Sequence, residues 1–247
     1  MSTLASKLTG FRCPHDEVDN TGSKRLTLEA ADGASPTIDA GGSSGTVVGI
    51  EAADVRVEGF TVQNFAQNGM TIFPSANGAE VVDNTVDTSS VSQSTSFAIN
   101  ADEGGAENLL IKNNELGYGQ TGSLQLNQNS EVTVEGNTIS SAQGGGSVIG
   151  IVVGSGSEIT ITDNTISDAT NGIQAGSGVI GGVNASLDNL DINSNDITGN
   201  DDGVVIGELG SPVTSVSINQ NNLQENSNNG EQTERGVSET VDATNNW

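Results

Sequence analysis

Two adjacent carboxylates, Asp201 and Asp202, are the residues of this chain whose types and spacing could do chemistry. Paired acids can act as general acid and base on a glycosidic bond, and acidic turns can supply oxygen ligands to Ca²⁺. The pair lies within Asn200-Asp201-Asp202-Gly203, a sequence that is also typical of a turn before a strand. Both interpretations stay open, and the turn is favoured because residues 26–247 contain no histidine to complete a catalytic set.

The only cysteine and the only histidine, Cys13 and His15, lie near the N-terminus, away from the acidic pair. One cysteine excludes an internal disulfide framework and a cysteine-based zinc site. We therefore expect no cofactor, with Ca²⁺ as the alternative if acidic turns bind a cation.

The charge balance limits the partners of the chain. It has 32 acidic and 7 basic residues, a net charge of −25, and residues 26–247 hold only Arg56, Lys112 and Arg235 as basic groups. Such a field repels nucleic acid and anionic membranes. No stretch is long and apolar enough to span a membrane. A β-rich pattern with this charge indicates a protein of a salt-loving organism, and an ordinary acidic surface is the simpler alternative.

The elements that must position these residues form a repeat. Seven times a run of alternating apolar and polar residues is followed by a polar turn and then by one aliphatic residue. These aliphatic residues recur at spacings of 23 to 31 residues. These anchoring residues are Val62, Val86, Leu116, Ile139, Ile166, Ile197 and Leu223. Self-similarity at such a period predicts a stacked solenoid.

Each copy contains about three short strands and no segment of helix length, so the class is all-β. Residues 187–197 fit a leucine-rich repeat, but the other copies do not, and their Gly- and Ser-rich halves could not form its outer helix. The sequence therefore predicts a right-handed parallel β-helix of about eight coils.

An asparagine stands two positions before the anchoring residue in six of the seven copies. In a stack of coils these residues lie one above another, so they predict an asparagine ladder that bonds coil to coil. A row that binds a polar ligand is the alternative interpretation. The ladder residues are Asn84, Asn114, Asn137, Asn164, Asn195 and Asn221.

Three segments follow from the repeat. Residues 1–24 are a leader outside it, and the spacing of Leu4, Leu8 and Phe11 predicts a short cap helix, with disorder as the alternative. Residues 25–226 form the β-helix. Residues 227–247 are a polar tail or a partial last coil.

Three stretches, residues 26–45, 55–64 and 241–247, resemble right-handed β-helix proteins of the pectate-lyase-like superfamily, above all secreted or surface-attached members from halophilic archaea. The resemblance implies an extracellular or cell-surface location, although the N-terminus lacks the apolar core of a signal peptide. Lyases of this superfamily typically use an Arg base and other basic residues, and three scattered basic residues cannot form a basic cleft.

We therefore predict a non-catalytic scaffold of a halophile surface or secreted protein. Its role would be structural or adhesive, and its partner a glycan or a surface protein, recognised by long turns at residues 89–95, 144–146 and 176–182. The alternative is a polysaccharide lyase or glycoside hydrolase that uses acidic turn residues, Asp201 and Asp202 first, with Ca²⁺.

Overall fold

A computed structural model describes residues 11–12, 17–18, 24–43, 45–91, 96–101, 104–140, 148–176, 186–207, 213–233 and 241–247. Within these ranges the elements are strands, and they form three sheets. Successive coils contribute one strand to each sheet in turn, and the pairing between coils is parallel throughout. The predicted all-β parallel solenoid is confirmed, with about seven turns against the eight coils expected.

The sheets contain eight, seven and eight of these parallel strands. The first sheet comprises β3 (Lys24–Ala30), β6 (Val55–Glu58), β9 (Glu80–Val82), β12 (Glu107–Lys112), β15 (Asn129–Glu135), β18 (Gly156–Thr162), β21 (Leu187–Asn193) and β24 (Val213–Asn219). The second comprises β4 (Thr37–Ser43), β7 (Thr61–Phe65), β10 (Thr85–Val86), β13 (Glu115–Leu116), β16 (Thr138–Ile139), β19 (Thr165–Ile166) and β22 (Asp196–Ile197). The third comprises β5 (Val48–Ile50), β8 (Met70–Ile72), β11 (Ile99–Ala101), β14 (Gly122–Leu126), β17 (Ile149–Val153), β20 (Asn171–Ala175), β23 (Asp202–Ile206) and β25 (Asn229–Thr233).

The described residues of the leader lie at the edge of the first sheet. Strands β1 (Phe11–Arg12) and β2 (Glu17–Val18) both pair antiparallel with β3. The cap helix expected over residues 1–11 lies outside the described residues except for Phe11, which belongs to β1. At the other end, β25 pairs with β23, so the coils continue beyond residue 226.

The core is a column of aliphatic side chains along the axis of the solenoid. Six of the seven anchoring residues, from Val62 to Ile197, are fully buried on the second sheet, and Leu223 packs partly buried against the core in the last coil. Since neighbouring strands lie about 4.8 Å apart, each aliphatic side chain stacks on the equivalent one in the next coil. This stacking explains why the anchors are Val, Ile or Leu at every turn of the repeat.

Left-handed backbone at two fixed positions of the coil bends the chain around this core. One position is the third residue of the later first-sheet strands, such as Glu131. The other immediately precedes each ladder asparagine, where Asp83, Asn113, Gly136 and Asp163 all have positive φ. Asparagine tolerates left-handed backbone, but the ladder asparagines themselves do not adopt it: their side chains are buried, and the residue before each of them makes the turn.

A column of small residues marks the corner where each coil enters the third sheet. Gly69, Ala98, Ser123, Gly150 and Gly172 occupy equivalent positions on successive coils. A Cβ atom at Gly150 would lie 2.3 Å from the carbonyl oxygen of Gly172 in the next coil. The second-sheet aliphatic side chains fill the remaining space, so the corner accepts only small side chains.

Glu231 interrupts the apolar column of the third sheet. It pairs with Val204, a fully buried core residue, so its carboxyl group occupies an inward position in the last coil. Partial burial raises the pKa of this carboxyl group above its ordinary value.

We expect Glu231→Gln to stabilise the fold near neutral pH. An acid with a raised pKa in the folded state contributes stability below its ordinary pKa and loses that contribution as pH rises through the raised value. The gain over the unmodified chain should therefore shrink toward zero below about pH 4. Denaturant unfolding at both pH values measures it, with Glu51→Gln as an exposed control for net charge. A gain that is largest at acid pH would contradict this assignment.

Candidate functional site

The six predicted ladder asparagines are brought together by hydrogen bonds. Each side-chain Nδ2 donates to Oδ1 of the asparagine one coil further on, at 2.9–3.2 Å, and the series continues to Asn246. Each Nδ2 also donates to backbone carbonyls, and all six residues are buried. In the first copy the backbone N–H of Phe60 donates to Asn84 Oδ1. These amides have few unused hydrogen-bonding groups left for a ligand.

A second, shorter ladder lies at the corner between the second and third sheets. Asn200 Nδ2 donates to Asn226 Oδ1 at 3.1 Å, and the backbone N–H of Ala169 donates to Asn200 Oδ1. The residue before each of these three has positive φ, as in the longer ladder. Sequence reasoning missed this ladder, although an asparagine five residues after Asn195 and again five after Asn221 was a usable signal.

Asp201 and Asp202 lie at this same corner, where β23 begins. Asp201 is exposed, and its Oδ1 accepts a hydrogen bond from Ser227 Oγ at 3.0 Å. Asp202 is partly buried, and its Oδ1 accepts a hydrogen bond from Asn229 Nδ2 at 2.8 Å. Both donors belong to the next coil. The two acids therefore connect neighbouring coils at the turn that precedes the strand.

Arg56 and Lys112, the basic residues described beyond strand β3, lie on the outer face of the first sheet, two coils apart. Arg56 Nε contacts Glu58 at 2.6 Å and its Nη1 contacts Glu80, while Lys112 Nζ contacts Glu135 at 2.9 Å. The hydrogen bond that Arg56 donates to Glu58, together with the one it donates to Glu80, raises the pKa of the Arg56 guanidinium. Each base is held by acidic neighbours on its own or an adjacent coil.

A groove of about 340 Å³ lies on the outer face of the second sheet. Four consecutive coils contribute to it, through Thr61, Thr85, Glu115 and Ser140 in chain order. The first three occupy one register column, because Thr85 pairs with both Thr61 and Glu115. The groove therefore runs along the axis of the solenoid.

The turn after β10 forms one wall of the groove. Ser89 N–H donates to Asp87 Oδ1 at 2.9 Å, and Val91 N–H donates to the carbonyl of Thr88 at 3.0 Å, so the turn is held by its own bonds. Gly117 lies under it, because a Cβ at this position would meet Thr88 Oγ1 at 2.3 Å. The missing side chain lets Thr88 pack against the sheet, and no sequence pattern indicated this contact.

Several sequence-predicted features lie outside the described residues. They are Cys13, His15, Arg235, residues 144–146 and most of the turns at residues 89–95 and 176–182. In the part of the chain that the structure describes, no helix is long and apolar enough to cross a membrane. The same part contains no group of three or more His, Cys, Asp or Glu side chains placed to hold a metal ion.

Comparison with known proteins identifies a family. No curated protein and no solved structure matched the chain. A family model described as right handed beta helix region matches residues 37–189, which is more than half of the chain. The match covers most of the stacked coils, the groove and four of the six ladder asparagines. The chain therefore belongs to the right-handed β-helix family.

Proposed function

We propose that the chain is a non-catalytic β-helix scaffold of a secreted or cell-surface protein from a halophile, of the pectate-lyase-like type, with a role in recognition or adhesion. The observation that carries this proposal is the hydrogen bonding of the Asp201 and Asp202 carboxylates. Each candidate acid accepts a hydrogen bond from the following coil, and the pair thereby joins neighbouring coils, as the hydrogen bonds of the asparagine ladder also do. A pair held in this way serves the stacking of the coils.

The surroundings of Arg56 and Lys112 support the same proposal. A base that abstracts a proton beside a uronate must be free to approach an anionic substrate. Arg56 and Lys112 are each paired with glutamates instead, and they are two coils apart. An acidic surface around them repels a polyuronate chain.

Like charges stacked on consecutive coils support the halophilic part of the proposal. Glu131 and Glu158 occupy the same register position, between the pairs Ser130–Ser157 and Val132–Ile159. Both are exposed, and neighbouring strands of a sheet lie about 4.8 Å apart, so two like charges stand on adjacent coils at one register position. Molar salt shortens the Debye length to about 3 Å or less and removes most of this repulsion.

We expect the melting temperature of the chain to rise by on the order of 10 °C between about 0.1 M and 2 M KCl, because screening relieves self-repulsion. Glu158→Gln should raise it by about 1–3 °C at the lower salt only. Glu107→Gln removes one exposed charge whose register neighbour is Ser130, so it should have less effect. A melting temperature that falls with KCl would contradict the halophilic assignment.

The test of the non-catalytic role is turnover. The folded chain is incubated in about 2 M KCl, with and without Ca²⁺, with neutral and acidic polysaccharides. New reducing ends report hydrolysis, and ultraviolet absorbance of unsaturated uronates reports a lyase. We expect neither signal. Turnover that disappears in Asp201→Ala or Asp202→Ala would make the chain an enzyme that uses this acidic turn.

A further inference from the structure

The groove on the second sheet has the length and direction of a short linear polymer. It crosses four coils, which at about 4.8 Å per coil corresponds to roughly 14 Å along the axis. Its register column presents one side chain per coil, from Thr61 through Thr85 to Glu115. A ligand with a repeating unit of similar length can therefore meet one outward polar side chain at each step.

The lining of the groove selects among such polymers. Its side chains are mainly hydroxyl groups, including Thr61, Thr85 and Thr88, and the carboxylates of Asp87 and Glu115. Hydroxyl groups donate and accept hydrogen bonds, whereas carboxylates accept only. The ten lining residues include no Lys or Arg, so a uronate, sulfate or phosphate group would meet carboxylates without a countercharge. A ligand rich in neutral hydroxyl donors satisfies this set of groups.

The threonine methyl groups add apolar surface to these polar groups. This mixture suits a sugar ring, which presents C–H groups on its faces and hydroxyl groups at its edge. Asp87 Oδ1 accepts a hydrogen bond from the backbone N–H of Ser89, and within the described part of the chain its Oδ2 has no hydrogen-bond partner. The Asp87 carboxylate is thereby oriented before any ligand arrives.

We propose that this groove binds a neutral linear oligosaccharide that runs along the axis of the solenoid. Sugar hydroxyl groups donate to Asp87 and Glu115 and exchange hydrogen bonds with Thr85 and Thr88. The inference rests on the recognition role proposed above and assigns that role to the second-sheet face, away from the corner that carries Asp201 and Asp202.

The test measures binding of neutral hexasaccharides with glucose, xylose or mannose backbones to the full chain in about 2 M KCl, where non-specific charge attraction is screened. Hexagalacturonate serves as the anionic comparison. Titration calorimetry and ligand-detected NMR give affinities for the unmodified chain and for Thr85→Val and Glu115→Gln. The matched control is Thr165→Val, which changes the same register column beyond the groove. Melting temperatures show that each variant is folded.

We expect at least one neutral hexasaccharide to bind, and each groove variant to weaken it by about fivefold or more, the loss of roughly one hydrogen bond. Thr165→Val should stay within about twofold. Binding that groove variants leave unchanged overturns the groove assignment, while the recognition role stands. Absence of binding by every neutral hexasaccharide, or preference for hexagalacturonate, also overturns the assignment. Release of reducing ends from a bound hexasaccharide would overturn the non-catalytic role and leave the groove assignment intact.

Discussion

Asn164→Ala is expected to lower the free energy of unfolding by about 4 kcal/mol. The Asn164 side chain makes five hydrogen bonds in the middle of the ladder. It donates to Asn195 Oδ1 and to the carbonyls of Val134 and Thr162, and it accepts from both nitrogen atoms of Asn137. Alanine leaves the buried Asn137 backbone N–H without a partner, and an unsatisfied buried group costs about 1–3 kcal/mol.

The matched control is Asn246→Ala, at the last described position of the same ladder. Asn246 is only partly buried, so water can replace the lost partners and the effect should be less than half as large. Urea unfolding followed by far-ultraviolet circular dichroism in about 2 M KCl measures both variants. Equal effects at the two positions would show that the ladder adds little beyond ordinary surface bonds.

Gly172→Ala should destabilise the chain by a similar amount, about 3–5 kcal/mol, or prevent folding. A Cβ atom at this corner would lie 2.4 Å from Ile197 Cγ2 and 2.6 Å from the carbonyl oxygen of Gly203. Neither atom can move easily, because Ile197 is fully buried and the carbonyl belongs to the paired strand of the next coil. The coils must therefore separate locally to admit a single methyl group.

Gly45→Ala is the control for this substitution. A Cβ there meets no atom within 4 Å, and its backbone lies outside the left-handed region. The change should leave stability within about 0.5 kcal/mol or raise it slightly. The same unfolding experiment compares the two variants. A small effect of Gly172→Ala would mean that the coils are packed more loosely than the structure indicates.

The sequence predicted the features that repeat by residue type. Inward positions on the second sheet need an aliphatic side chain in every coil, so Val62 and Ile139 stand out in the pattern. The sequence pattern did not reveal the positions with left-handed backbone, because Asp, Asn, Gly, Ser and Gln can all occupy them. Their regularity lies in the backbone, and only the register between coils reveals it.

The groove could not be predicted for a different reason. It depends on one turn, after Val86, that packs its Thr88 against Gly117 in the neighbouring coil. These residues are 29 positions apart and belong to no repeated motif. Asp201 and Asp202 stand out in the sequence as adjacent acids. Their hydrogen-bond partners Ser227 and Asn229 lie one coil further along the chain, so the local sequence could not predict these bonds.

The claim that the acidic turn serves the fold is tested most directly by a double-mutant cycle between Asp202 and Asn229. Asp202→Ala, Asn229→Ala and the double variant are unfolded in urea at about 2 M KCl. The cycle isolates the pair from changes in net charge. We expect a coupling free energy of about 1 kcal/mol, and a loss of stability in Asp202→Ala. No coupling, together with a gain of stability in Asp202→Ala, is the behaviour of an acid retained for chemistry and would contradict the account.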